Sequence, residues 1–135
     1  MEVICGIGMD IQSIRELEKT MERGGERFLA KVFTAHEIEY CRRHASPAQH
    51  FAARWAVKEA FFKAAGGMIT RKYQFRDVEL RHESSGRPYI QLYGDAACEL
   101  EQHGVGLWTS LSHSGEYAAA QVIAVIQQKQ GSAHS

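Results

Sequence analysis

Residues 46–67 read SPAQHFAARWAVKEAFFKAAGG, and this stretch carries the clearest start and stop signals in the chain. Ser46 is a cap residue, Pro47 stands at the first helical position and Gln49 closes a capping box. Gly66-Gly67 marks the end, so the spacing predicts a helix over Pro47–Ala65. At 100° per residue, Phe51, Trp55 and Phe62 share one face, while Ala53, Val57, Ala60, Phe61 and Ala64 cover the opposite side. A helix that is apolar on both sides belongs in a core. Its charges then need an account, because burying an unpaired ion is strongly unfavourable. Glu59 and Lys63 stand at i, i+4 on one stripe with Ala52 and Ala56, small residues that let a partner approach. Arg54 and Lys58 form a second i, i+4 pair elsewhere on the cylinder.

Working outward, Glu2 to Asp10 reads as a buried strand, rich in Val, Ile and Gly and ending at a carboxylate. Ser13 with Glu16 opens a charged helix that Gly24-Gly25 stops near Arg23, and Phe28 to Phe33 is helical as well. Thr34 with Glu37 offers a second capping box, for a helix to about His44. Downstream, Phe75–Glu83 and Tyr89–Tyr93 are strand-like and joined by a turn at Ser84–Arg87. Asp95–His103 is a short helix closed by Gly104. Leu107–Ser112 and Tyr117–Ile126 form a terminal hairpin. One strand, several helices and then mostly strands predict an α+β fold, a small, mostly antiparallel sheet against a long central helix.

The chain has 135 residues, 44% hydrophobic and 24% charged, with sixteen Lys+Arg against sixteen Asp+Glu. That length fits one domain and the composition is ordinary globular, which sets aside disordered and fibrous classes. Residues 1–127 are expected to form the domain and 128–135 a polar tail. No apolar run approaches the length of a membrane span. The N-terminal residues show no secretory signal, and Cys5, Cys41 and Cys98 form neither a disulfide framework nor a zinc knuckle; a cytoplasmic location is expected.

Zero net charge argues against general nucleic-acid binding, but the charge is uneven. Residues 40–76 hold eight Lys/Arg and a single acid, Glu59. A lone carboxylate in a basic stretch reads either as a surface ion pair with Lys63 or as a ligand for a divalent cation beside phosphates. Hard Mg2+ takes one or two carboxylates plus substrate oxygens and water, and Asp10 is the natural second carboxylate. Gly6-Ile7-Gly8-Met9-Asp10 is not the dinucleotide-binding fingerprint, and G-x-x-x-x-G-K-[ST] is absent. Ser110-Leu111-Ser112-His113 lacks the G-x-S-x-G elbow, and Ser112 and His113 point to opposite sides of a strand, which argues against a serine hydrolase.

Gly6-Ile7-Gly8-Met9-Asp10-Ile11 and Trp55-Ala56-Val57-Lys58-Glu59-Ala60-Phe61-Phe62-Lys63-Ala64 resemble the two signature motifs of the 4′-phosphopantetheinyl transferases. Gly86-Arg87-Pro88-Tyr89-Ile90 and Ser110 to Ala118 are similar to the short subfamily of holo-acyl-carrier-protein synthases. The resemblance runs from about Ile4 to Ile126. It implies transfer of 4′-phosphopantetheine from coenzyme A to a serine of apo acyl carrier protein, with release of adenosine 3′,5′-bisphosphate. It further implies Mg2+ dependence and a homotrimer with coenzyme A between subunits. By motif, Asp10 and Glu59 would hold Mg2+, Lys63 the pyrophosphate, Arg54 and His113 the 3′-phosphate, and Gly86-Arg87-Pro88 the adenine. Gly66 belongs to the loop that meets coenzyme A, where Gly66-Gly67-Met68 departs from the family's usual Gly-Thr-Gly.

In this reading cations stabilise the charge that grows on phosphoryl oxygens, and Glu59 is the candidate base for the serine hydroxyl. The family's first helix tends to meet an acidic carrier; here Arg15 is followed by Glu16 and Glu18, which leaves docking partly to Lys19, Arg23, Arg27 and Arg42. The alternative is a phosphate- or nucleotide-binding module without catalysis.

Overall fold

A computed structural model describes residues 1–128; the polar tail expected at 128–135 lies, apart from Gln128, outside the described residues. Helix α3 (Pro47–Ala65) lies against strand β1 (Glu2–Ser13), and glycine decides how closely. A Cβ placed on Gly8 would stand 1.9 Å from the Ala60 carbonyl oxygen, and one on Gly6 1.9 Å from that of Ala64. Strand and helix therefore meet backbone to backbone, with Ala60 and Ala64 as the small residues on the helix side. This explains the spaced glycines: they serve close packing rather than a nucleotide loop.

Around this contact run α1 (Ile14–Val32), α2 (Ala35–Arg42), β2 (Val78–His82), β3 (Pro88–Leu92), α4 (Gly94–Gln102), β4 (Val105–Ser114) and β5 (Tyr117–Gln127). The predicted α+β class holds, with two small sheets in place of one: β1-β5-β4, and the hairpin β2-β3, all antiparallel. The pleat of the larger sheet sends Ala118, Ala120, Val122 and Ala124 into the core under α3. A second core, built from Leu17, Leu29, Phe33, Cys41 and Phe51, joins α1 and α2 to the start of α3.

Several expectations change. β1 runs on to Ser13, so Asp10 sits within the strand rather than at its end. It is an edge strand, and its outward residues Ile7, Met9 and Ile11 are 58%, 64% and 65% exposed. The continuous apolar run looked buried because the inward positions are glycines, which hide their burial from any hydrophobicity count. Phe62, assigned to a core face, is 57% exposed. Ser46 makes no side-chain cap; its carbonyl accepts from the Gln49 amide instead, at 3.2 Å. Ser13 does accept from the Glu16 amide, and Thr34 with Glu37 closes a full capping box. Gly25, at φ 59°, kinks α1 where a stop was expected, and the helix resumes to Val32. Phe75–Asp77 is a 3₁₀ turn that precedes β2. Trp55 packs between Phe28 and Phe75.

Candidate active site

Lys58 and Glu59 are adjacent on α3 and face opposite fates. Lys58 is fully buried, and its Nζ donates to Glu37 Oε1 at 2.8 Å, to the Phe75 carbonyl at 3.0 Å and to the Val78 carbonyl at 2.5 Å. Three donors meet three acceptors. Glu37, also fully buried, accepts as well from the Thr34 and Leu80 amides. Burial pulls the Lys58 ammonium below its ordinary pKa, and the neighbouring Glu37 charge opposes that pull. Lys58 is therefore an anchor between α2, α3 and β2.

Glu59 turns the other way, toward β1. Burial raises its pKa first and the Asp10 charge raises it further, while Lys63 works against both. Lys63 Nζ donates to the Met9 carbonyl at 2.9 Å and to Asp10 Oδ1 at 3.3 Å. Of the two readings of Glu59, the ion pair with Lys63 is not formed; among the described residues Lys63 pairs with Asp10 instead. Tyr73 completes the arrangement. Burial and the Glu59 charge push its phenol up to about 12, and its hydroxyl is buried with no hydrogen-bond partner among the described residues. A phenol with no partner among the described residues and two mutually repelling carboxylates, of which Asp10 is paired with Lys63, stand near one another.

Two hard carboxylate oxygens suit Mg2+ that draws its other ligands from phosphate and water. Among the described residues no three His, Cys, Asp or Glu side chains can share an ion, so no all-protein cage competes with that reading.

Arg54 is 2% exposed; its guanidinium lies 4.1 Å from the Tyr40 ring centroid and donates to the His50 carbonyl at 3.3 Å. Its Nε is buried without a hydrogen-bond partner among the described residues. Burial first, then the charges of His44, Arg54, His113 and His82, lower the His50 pKa, so Arg54 and His113, which is exposed on β4, both stand in the neighbourhood of His50. Gly66 caps α3 and starts a 3₁₀ turn to Met68. Gly86-Arg87-Pro88 stands apart from the carboxylates: Gly86, at φ 92°, turns the β2-β3 hairpin, and Arg87 lies 4.3 Å over the Trp108 ring. Trp108 is three register positions from Leu111, which lies level with Asp10 across the sheet. Arg15, Lys19, Arg23 and Arg27 are exposed on α1, and Arg42 is paired with Glu26.

The model of the 4′-phosphopantetheinyl transferase superfamily matches residues 6–122, from the first glycine of β1 into β5. The chain belongs to this superfamily. It is 43% identical over 122 residues to the holo-[acyl-carrier-protein] synthase of Syntrophus aciditrophicus, covering 90% of this chain and 95% of that one. Superposition on the crystal structure of the holo-[acyl-carrier-protein] synthase from Neisseria meningitidis gives a TM-score of 0.80 at 28% identity, over 90% and 98% of the two chains. The coenzyme A complex of the corresponding synthase from Chronobacterium ammoniagenes gives 0.77 at 31% identity, over 91% and 98%. Membership explains why the two motifs travel together: one supplies the strand, the other the helix, of a single packed contact. Sequence reasoning missed Tyr73, which stands in an irregular segment with no periodicity to flag it. It also missed the rings of Tyr40, His44, His50 and His82, which come from three elements.

Proposed function

We propose that this chain transfers the 4′-phosphopantetheine arm of coenzyme A to a serine hydroxyl of an apo acyl carrier protein and releases adenosine 3′,5′-bisphosphate. One observation carries the reading: Asp10 and Glu59, from β1 and α3, share a region with Lys63 and an unpartnered Tyr73 hydroxyl. Asp10 and Glu59 would hold Mg2+, which when bound supplies Lewis-acid neutralisation of the pyrophosphate oxygens. Lys63 holds the pyrophosphate and neutralises the leaving bisphosphate. Arg54 and His113 take the 3′-phosphate, and Glu59 accepts the serine proton as the hydroxyl attacks phosphorus. The nucleophile arrives on another protein, which is why no nucleophile–base pair is needed within this chain.

Residues 1–127 carry the activity, and the active form is a homotrimer. Ile7, Met9, Ile11 and Trp108 leave one face of the larger sheet apolar and open in a single chain, and a second subunit on that face would bury it. The Gly86-Arg87-Pro88 turn, whose Arg87 lies over Trp108 on this same face, would then reach the adenine across the interface. Arg15, Lys19 and Arg23, four residues apart along α1, with Arg27 and Arg42 beyond, would steer an acidic carrier, an attraction that salt weakens. Among the described residues no helix is long and apolar enough to cross a membrane; cytoplasmic residence and a place in fatty acid synthesis go with the carrier substrate.

The test is incubation with coenzyme A, Mg2+ and apo carrier protein. The carrier's mass should rise by one phosphopantetheine; an unchanged mass would leave a binding module and overturn the proposal. A monomer that is active at low concentration would remove the intersubunit site.

A further inference from the structure

The segment that joins α3 to β2 opens with two glycines, Gly66 and Gly67, and carries Tyr73 near its end. Gly66 follows the last turn of α3, which bears Lys63, and a Cβ placed on Gly67 would meet nothing within 4 Å. Consecutive glycines leave a segment with many conformations to lose on ordering. The Ile69 amide closes the first turn on the Gly66 carbonyl at 3.2 Å. At the far end the Tyr73 ring meets Phe61 edge-on, with centroids 5.7 Å apart.

The middle of the segment is held from outside, by Glu99 of α4. Its carboxylate accepts from the Thr70 amide at 3.0 and 3.1 Å, from the Thr70 hydroxyl at 2.5 Å and from the Arg71 amide at 3.1 Å. The Thr70 hydroxyl first, then the two amides, hold the Glu99 carboxyl below its ordinary pKa, so the charged form is the one that binds the backbone. Neither Glu99 nor Thr70 belongs to the buried core, so the contact secures this segment more than the fold. A second link between the same two elements differs in kind. Arg71 and Asp95 form an exposed ion pair at 3.7 Å, which fixes no backbone and contributes little.

We propose that Glu99 is a positioning residue for coenzyme A, pre-ordering residues 66–73 by fixing the backbone at Thr70 and Arg71. This rests on the coenzyme A reading above, in which the Gly66 loop meets that molecule. Glu99 acts through the segment and not on the reacting atoms. Released from Glu99, the two glycines let the segment sample other arrangements, and the apparent affinity for coenzyme A falls by the fraction still competent to bind. Bound coenzyme A orders the segment in either case, so the chemical step changes little.

Carrier labelling with coenzyme A varied, at fixed Mg2+ and saturating carrier, reads the two constants separately. Glu99→Ala should raise the coenzyme A KM by about five- to tenfold and leave kcat within about twofold. Asp95→Asn, which breaks the Arg71 ion pair alone, should leave both unchanged. In a Gly67→Ala background, where a stiffer backbone replaces the tether, the rise caused by Glu99→Ala should shrink to about threefold or less. An unchanged KM in Glu99→Ala, a loss confined to kcat, an equal rise in Asp95→Asn or an undiminished rise in the Gly67→Ala background would overturn the proposal. If Glu99→Ala fails to fold, Thr70→Val, which removes the hydroxyl donor alone, decides in its place: a KM rise of about two- to threefold is expected, and none overturns the proposal. The coenzyme A Kd, measured by calorimetry on the same chains, keeps the two readings apart. A chain that labels no carrier loses the transferase reading, while a Kd weakened by Glu99→Ala still upholds the role of Glu99. Labelling with equal KM and Kd removes the role of Glu99 alone, and a chain that binds no coenzyme A loses both.

Discussion

Lys58 and Glu59 are neighbours in sequence, each carrying one unit of charge but of opposite sign, and their circumstances are opposite as well. Lys58 has an acceptor for each ammonium proton, and Glu37 opposite it is matched just as fully. Glu59 is half-buried beside another carboxylate, with its pKa raised and a partnerless phenol nearby. A buried charge whose partners are complete is architecture. A charge that folding leaves at an energetic disadvantage, beside another of its own sign, marks a candidate functional site.

The comparison breaks most sharply at Lys58. Lys58→Met should lower stability by about 3–5 kcal/mol in urea unfolding, because it strands Glu37 in the core. Pairing it with Glu37→Gln should restore part of the loss, since an uncharged amide tolerates burial better. A loss below about 1 kcal/mol would mean that the pair behaves as a surface contact. Glu59→Gln should do the reverse. Carrier labelling should fall by about 10²–10³, while the Tm stays level or rises, because the change removes a charge that Asp10 and burial disfavour. A lower Tm with intact labelling would exchange the roles of the two residues.

Lys63→Ala sharpens the functional side. It removes the cation on Asp10 and should weaken coenzyme A binding by about tenfold, in line with one hydrogen bond to a charged group. Calorimetry at fixed Mg2+ would read it, and wild-type affinity would discard the assignment. The smallest effect concerns His50 and His82. Their folded pKa values lie below the unfolded ones, so the unfolded chain binds more protons, and ligand-free stability should fall as pH drops through about 6.5. His50→Asn with His82→Gln should flatten that slope in melts between pH 8 and 5.5.

Much of this was legible in the chain. Pro47 and Gly66 bounded α3 because both act through backbone geometry that needs no tertiary partner. Asp10 and Glu59 could be paired from motif and from the metal's ligand demands. The edge position of β1 could not be read, since apolar residues at 7, 9 and 11 look the same whether covered or open. The fate of Lys58 was hidden for a related reason: the i, i+4 rule describes an isolated helix surface, and Glu37 and the two carbonyls arrive from elsewhere in the fold. Ser46 had the composition of a cap, but its backbone satisfied the amide first. Tyr73 and the histidine cluster are products of tertiary assembly and leave no periodic trace.

Gly6 and Gly8 have one more effect. Because main-chain atoms of β1 rest directly on those of α3, the gap between Asp10 and Glu59 is gauged by covalent geometry, with no side chain between the two backbones to yield. A methyl group added at either glycine would force strand and helix apart and carry one carboxylate away from the other. Even a variant that survived the insertion and folded would hold its two acids at the wrong calibre for the shared ion proposed above.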